Sequence, residues 1–238
     1  LLNGVGDKVI EYYADQPIET MENDRLARRA RAQHLLGQVS LSTRQLDKAA
    51  EDIRAASAMT ERLLERAPND STLIYNPAQS PYWPGELARR KADYKAARVP
   101  WDGYLELATQ LYQINPRSFD WVMERAWAEQ NLGALDALER QYESALVRYE
   151  SALKYFSEAA QIDPENRVVA REIATVSGWQ ADAAPITGVA EDLISLRHRQ
   201  VALLRAQLAR PPQNSALAMR LVVPERELQI LQYLQEGG

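Results

Sequence analysis

The chain has 238 residues, 33 acidic and 28 basic side chains, a formal net charge of −5, 46% hydrophobic residues and no cysteine. That balance excludes wholesale disorder, a disulfide scaffold, a thiolate metal site and a cysteine nucleophile. It also argues against a general nucleic-acid binder, which needs a basic surface to displace counterions.

In chain order, residues 1–16 carry Val5, Val9, Ile10, Tyr12 and Tyr13, the pattern of an amphipathic helix that ends before Pro17. Prolines then follow long helical patterns at Pro68, Pro116, Pro164 and Pro212, each 48 residues after the last and each followed by a polar turn. Proline lacks the N–H that would continue a helix, so these are helix ends in register. Small residues keep the same period: Ala30, Ala78, Ala126 and Ala174; Gly37, Gly85 and Gly133, with Ala181 fourth; Ala49, Ala97 and Ala145, with Leu193 fourth. Such columns let helix backbones approach closely. The period divides the chain into repeats at about 21–68, 69–116, 117–164 and 165–212. Residues 214–235 form a terminal helix expected to close the exposed end, shortened or kinked at Pro224.

In each repeat the glycine column precedes the second alanine column by 12 residues, as in Leu36-Gly37 with Ala49 and Leu132-Gly133 with Ala145. Ile53, Trp101 and Tyr149 supply a large residue four positions after that alanine, and Arg197 does not. On these motifs residues 21–212 resemble the tetratricopeptide repeat (TPR) family, lengthened by about seven residues, roughly two turns, in each helix. The resemblance implies an all-α fold, an α-solenoid of about four elongated TPR-like helix pairs plus terminal capping helices, with the first helix of each pair lining a groove. Elongated arrays of this kind are similar to regions of large bacterial signalling proteins, and the first residue, Leu1, fits a piece of such a protein. The compartment is then cytoplasmic or, behind a membrane anchor, periplasmic.

Repeat two disagrees with its own register. Pro77, Pro81 and Pro84 fall where its first helix should run, and each interior proline costs about 3 kcal/mol. An interrupted helix is expected between Tyr75 and Gly85. Its freed carbonyls would make a polar notch beside Tyr82 and Trp83, with Arg89 below and Trp127 from the next repeat.

Candidate chemistry is sparse. Gly4-Val-Gly6 is too short for a phosphate loop, and Glu139 and Glu143 lie four apart as many solvated acid pairs do. Only two histidines occur, His34 and His198, and no nucleophile, base and orienting group assemble. The expectation is therefore no enzyme, no metal and no cofactor. No apolar run approaches the ~20 residues that span a bilayer. In the TPR-like register the groove row is Arg31, Gln79, Trp127 and Thr175, with His34, Tyr82, Gln130 and Gly178 beside it and Arg89 one turn further. Arg31, His34, Tyr82, Arg89, Trp127 and Gln130 are the candidate contacts. For Trp127 the alternative is packing against a neighbouring repeat. The implied partner is a protein or peptide, with no nucleic acid and no direct membrane insertion. The alternative function is self-association, a homodimer that brings together an attached effector enzyme.

Overall fold

The computed structural model describes residues 17–67, 81–187, 193–209 and 215–236. The expected helix at 1–16, Pro68, Pro77, Ala78, Gln79, Gly188 and Pro212 lie outside these residues. The chain divides into two compact units, Leu1–Ile114 and Asn115–Gly238. The fold is all-α, and no strand occurs among the described residues.

The first unit holds α1 (Asn23–Ser42), α2 (Leu46–Arg66), α3 (Tyr82–Arg90) and α4 (Tyr94–Ile114). The second holds α5 (Phe119–Leu138), α6 (Tyr142–Ile162), α7 (Arg167–Ala183), α8 (Leu193–Leu208) and α9 (Ser215–Glu236). Helices pair as consecutive hairpins, and within each unit successive hairpins stack in solenoid fashion: α2 meets α3, and α6 meets α7.

The second helices α2, α4 and α6 end at Arg66, Ile114 and Ile162, each 48 residues after the last and two residues before the next proline column. The hairpin turns repeat with the same spacing. Arg44, Ala92 and Arg140 all have φ near +60° (59°, 58° and 61°). In each turn two amides reach back into the first helix. Gln45, Asp93 and Gln141 N–H donate to the carbonyls of Ser40, Ala88 and Asp136 at 2.8, 2.9 and 2.8 Å. Arg44, Ala92 and Arg140 N–H donate to those of Leu41, Arg89 and Ala137 at 3.2, 2.9 and 3.0 Å. These are Schellman closures, which satisfy carbonyls that a helix end would otherwise leave orphaned.

The glycine column sits where the hairpin helices touch. A methyl at Gly37 would lie 2.9 Å from Ile53 Cγ1, one at Gly133 would lie 2.8 Å from the Tyr149 ring, and one at Gly85 would overlap the Trp101 indole. The large residue expected in the second helix therefore fills the space the missing side chain leaves. Ala30, Ala49, Ala97, Ala126 and Ala145 are fully buried.

One proline expectation changes, and most of the interruption expected between Tyr75 and Gly85 lies outside the described residues. The helix α9 runs through Pro224 to Glu236 without a break. Within the described residues α3 is regular from Tyr82, because Pro84 falls in its first turn, where a missing N–H has no helical acceptor to lose.

Candidate functional site

In the first unit the candidate residues gather around an aromatic cluster. Tyr82 stacks on Trp101 with ring centres 6.2 Å apart, and its edge meets Trp83 and Tyr104 at 4.9 and 6.0 Å. The Trp101 indole N–H donates to the Tyr82 carbonyl at 2.9 Å. The carbonyl at Tyr82 is therefore occupied from within, and most of the segment expected to form the notch lies outside the described residues. Burial pushes the Tyr82 hydroxyl up to about 12, so it stays protonated at neutral pH.

His34 faces inward from α1, not into a groove. It is buried, 3% exposed, with its ring 5.0 Å from Trp83 in edge contact. Burial lowers its pKa to about 4, which keeps it neutral at physiological pH. Arg89 is likewise engaged inside the unit. Its Nε and Nη2 donate to the two oxygens of Glu86 at 2.7 and 2.9 Å, and Arg90 Nε adds a third bond at 2.8 Å. Burial pushes the Glu86 carboxyl up, but the two guanidinium groups outweigh it and hold the group below its usual range. Arg31 alone of this unit's candidates is exposed on its helix face.

In the second unit Gln130 is 8% exposed, and its amide donates to Glu172 of α7 at 3.1 Å. It joins two first helices and does not present an open contact. Trp127 is half-buried on α5. Thr175, in the same column on α7, accepts from Arg220 of α9 at 3.4 Å. Beside it Trp179 is 36% exposed while its ring meets Tyr149 at 5.8 Å. The first helices of the second unit thus carry Trp127, Arg171, Thr175, Trp179 and Arg220, with Trp127 and Thr175 in one register column and Thr175 bonded to Arg220.

Two features of α9 refine the periodic reading. The helix begins at Ser215, 48 residues after Arg167, so it occupies the place of a first helix in a further hairpin. Its outer side exposes Met219, Val222, Val223, Ile230, Tyr233 and Leu234, where a closing helix would be polar. The signal is present in the spacing of those apolar residues.

Among the described residues no group of three or more His, Asp or Glu side chains is placed to hold a metal ion. No described helix is long and apolar enough to cross a membrane. A scan of protein-family models gave no match, and neither did a comparison with curated proteins. Among solved structures the chain is similar to TTC0263, a thermophilic TPR protein of Thermus thermophilus. The identity is 18%, the TM-score 0.37, and the match covers 79% of this chain and 98% of that one.

Proposed function

We propose that the chain is a non-enzymatic, TPR-like protein-interaction module that recognises a peptide segment, serving a larger bacterial signalling protein. The observation that supports this reading most directly is the first-helix face of the second unit. Trp127 and Thr175 share a register column there, with Trp179 at 36% exposure and Arg171 alongside. Half-buried tryptophans beside arginines are the residue types that dominate binding energy at interfaces, because they offer large apolar area at small entropic cost together with directional donors.

The test is selection of peptides from a random display library on the immobilised full chain. Selected peptides should lose at least tenfold in affinity on Trp127→Ala and on Thr175→Glu, with far-ultraviolet circular dichroism unchanged. The Thr175 variant keeps the test open should Trp127→Ala unfold. Peptides that bind both variants as tightly as the wild type, or failure to select any, would remove this face as the binding surface.

A further inference from the structure

A cleft of about 530 Å³ opens within the first unit between α2 and the hairpin α3–α4, a surface separate from the peptide-binding face of the second unit. It arises column by column. On α6 the packed stripe is Leu146, Tyr149, Leu153 and Phe156; the last three are 3%, 7% and 0% exposed, and Tyr149 reaches the Trp179 ring of the next hairpin. The same four columns on α2, 96 residues earlier, hold Ala50, Ile53, Ser57 and Thr60, each a smaller residue, and all four line the cleft. Opposite them stand Pro81, Pro84 and Pro100, compact rings that do not reach across. The backbone register is kept while the side chains that would fill it are missing. The volume that results falls within the ~300–1,000 Å³ of small-molecule sites.

The α2 wall is one helical face. Ala50, Arg54, Ser57, Glu61 and Leu64 step by four and three residues, and all of them line the cleft. This face carries two charges of opposite sign. Arg54 and Glu61 are exposed, and neither has a hydrogen bond or ion pair among the described residues, whereas Arg62 and Glu65 on the same helix pair at 2.9 Å. Seven residues, two turns or roughly 10 Å, separate Arg54 from Glu61, too far for them to neutralise each other. The facing wall is apolar, from the three prolines to Leu107 and to Val99 at the rim, 76% exposed. A guanidinium at one end of an apolar trough suits an anion with an apolar body, and the carboxylate at the other end repels a second negative charge. A peptide suits the same trough poorly. Prolines have no N–H to offer, and the amides of α2 are engaged within the helix, so a backbone laid between these walls would bury carbonyls without donors.

We propose that this cleft binds a small amphipathic monocarboxylate, its anionic end on Arg54 and its apolar body, about two helical turns long, running towards Glu61. The probe is decanoate below its micelle concentration, titrated into the full chain by isothermal calorimetry. It should bind saturably. Decanol, which lacks the charge, and decanedioate, which sets a second carboxylate against Glu61, should each bind at least tenfold more weakly. Arg54→Gln, an exposed change, should weaken decanoate at least tenfold with the thermal midpoint unchanged. Glu61→Gln should bring decanedioate to within a few-fold of decanoate. Ala50→Leu combined with Ser57→Leu copies the α6 columns into α2 and should abolish binding with helicity kept. Absence of saturable binding, binding indifferent to Arg54→Gln, or binding that survives the two leucines overturns the proposal. So does a wild-type dimer, seen by light scattering, that Val99→Asp dissociates, because the occupant is then a second copy.

Discussion

In the hairpin α1–α2, Asp52 accepts hydrogen bonds from Gln33 at 2.6 Å and Ser40 at 3.3 Å. In α5–α6, 96 residues on, the same three columns hold Arg148, Glu129 and Asp136. Arg148 reaches Glu129 at 2.9 Å and Asp136 at 3.3 Å, while Arg125 also meets Glu129 at 2.8 Å and Ser144 donates to Asp136 at 2.6 Å. One hairpin thus buries a single carboxylate among neutral partners, and the other buries an alternating ion network. The helix bounds and the turn geometry are the same in both. In α3–α4 the columns hold Pro81, Ala88 and Pro100, and a cleft of about 530 Å³ lies between α2 and that hairpin, lined by Pro81, Pro84, Pro100 and Leu64 among others. The repeat fixes where side chains meet, through glycine and alanine columns, and leaves the polarity of those meetings free.

The sharpest way to break this comparison is to remove the residue that holds the ion network together. Arg148→Met leaves Glu129 and Asp136 buried without that partner, and breaking a buried pair costs about 3–5 kcal/mol. Asp52→Asn keeps the shape and the neutral donors of the first hairpin, so its loss should be about 1 kcal/mol or less. Burial already raises the Asp52 carboxyl above its usual range despite the hydrogen bonds from Ser40 and Gln33. Urea denaturation of the two variants gives the contrast. Equal losses would mean that the network contributes no more than a neutral hydrogen-bond pair.

A second contrast lies in the column shared by His34 and Gln130. The folded pKa of His34, about 4, lies below its unfolded value of about 6.5, so the unfolded chain binds the extra proton between these limits. Stability from this group is complete above pH ~6.5 and is lost as pH falls towards 4, by about 3 kcal/mol in all. Asp52 acts with the opposite sign, since its raised pKa favours the folded state in acid and that contribution is lost as pH rises through the folded value. His34→Gln, which copies the second unit's residue into the first, should flatten the loss between pH 6.5 and 4 in a series of urea midpoints. A midpoint curve unchanged by the substitution would show that His34 is not the group responsible.

These contrasts also mark what could be read from the amino acids alone. Gly37, Gly85 and Gly133 each face a large residue 16 positions later, because close approach leaves room for one side chain and not two; that requirement is periodic and so is legible. The prolines after Arg66, Ile114 and Ile162 are legible for the same reason, as helix stops in register. The inward turn of His34 and the engagement of Arg89 with Glu86 were not, since a polar side chain in a row says nothing of which neighbour it meets. Arg197 shows the limit well. It breaks the column of Ile53, Trp101 and Tyr149, yet it is buried, paired with Asp182 and Glu227. An ion pair there stands where Tyr149 meets Trp179 one repeat earlier. Only the three-dimensional neighbour reveals that the departure is compensated.

The glycine column itself can be graded. Gly85→Ala forces a methyl into the Trp101 ring, whose indole is tied to the Tyr82 carbonyl and cannot swing away freely. Overpacking of this kind costs about 1–3 kcal/mol, and Gly85→Ala should lie at the upper end. Gly37→Ala meets Ile53 Cγ1 at 2.9 Å and Asp52 Cβ at 3.4 Å, a lesser overlap than at Gly85, and should lie at the lower end. Thermal midpoints should fall in that order. A reversal would mean that the indole has an alternative position and that column spacing alone sets the penalty.

The smallest effect concerns the turns, where all three hairpins agree and the residue types do not. Arg44, Ala92 and Arg140 occupy the left-handed region, which is strained for any residue with a Cβ by roughly 1–2 kcal/mol. Ala92→Gly removes that strain without deleting a side-chain contact, because only a methyl is lost from an exposed position. Glycine also loosens the unfolded chain, which takes back about 0.4–1 kcal/mol. The net gain should therefore be about 0.5–1 kcal/mol, read as a higher thermal midpoint with unchanged helicity. In the sequence the same column holds Gly188 in the fourth repeat. Arg140→Gly should behave alike in the second unit if backbone strain alone governs the position. A gain at Ala92 paired with a loss at Arg140 would instead assign the arginine side chain a role of its own at the hairpin end, and would separate the two units at a place where their geometry is the same.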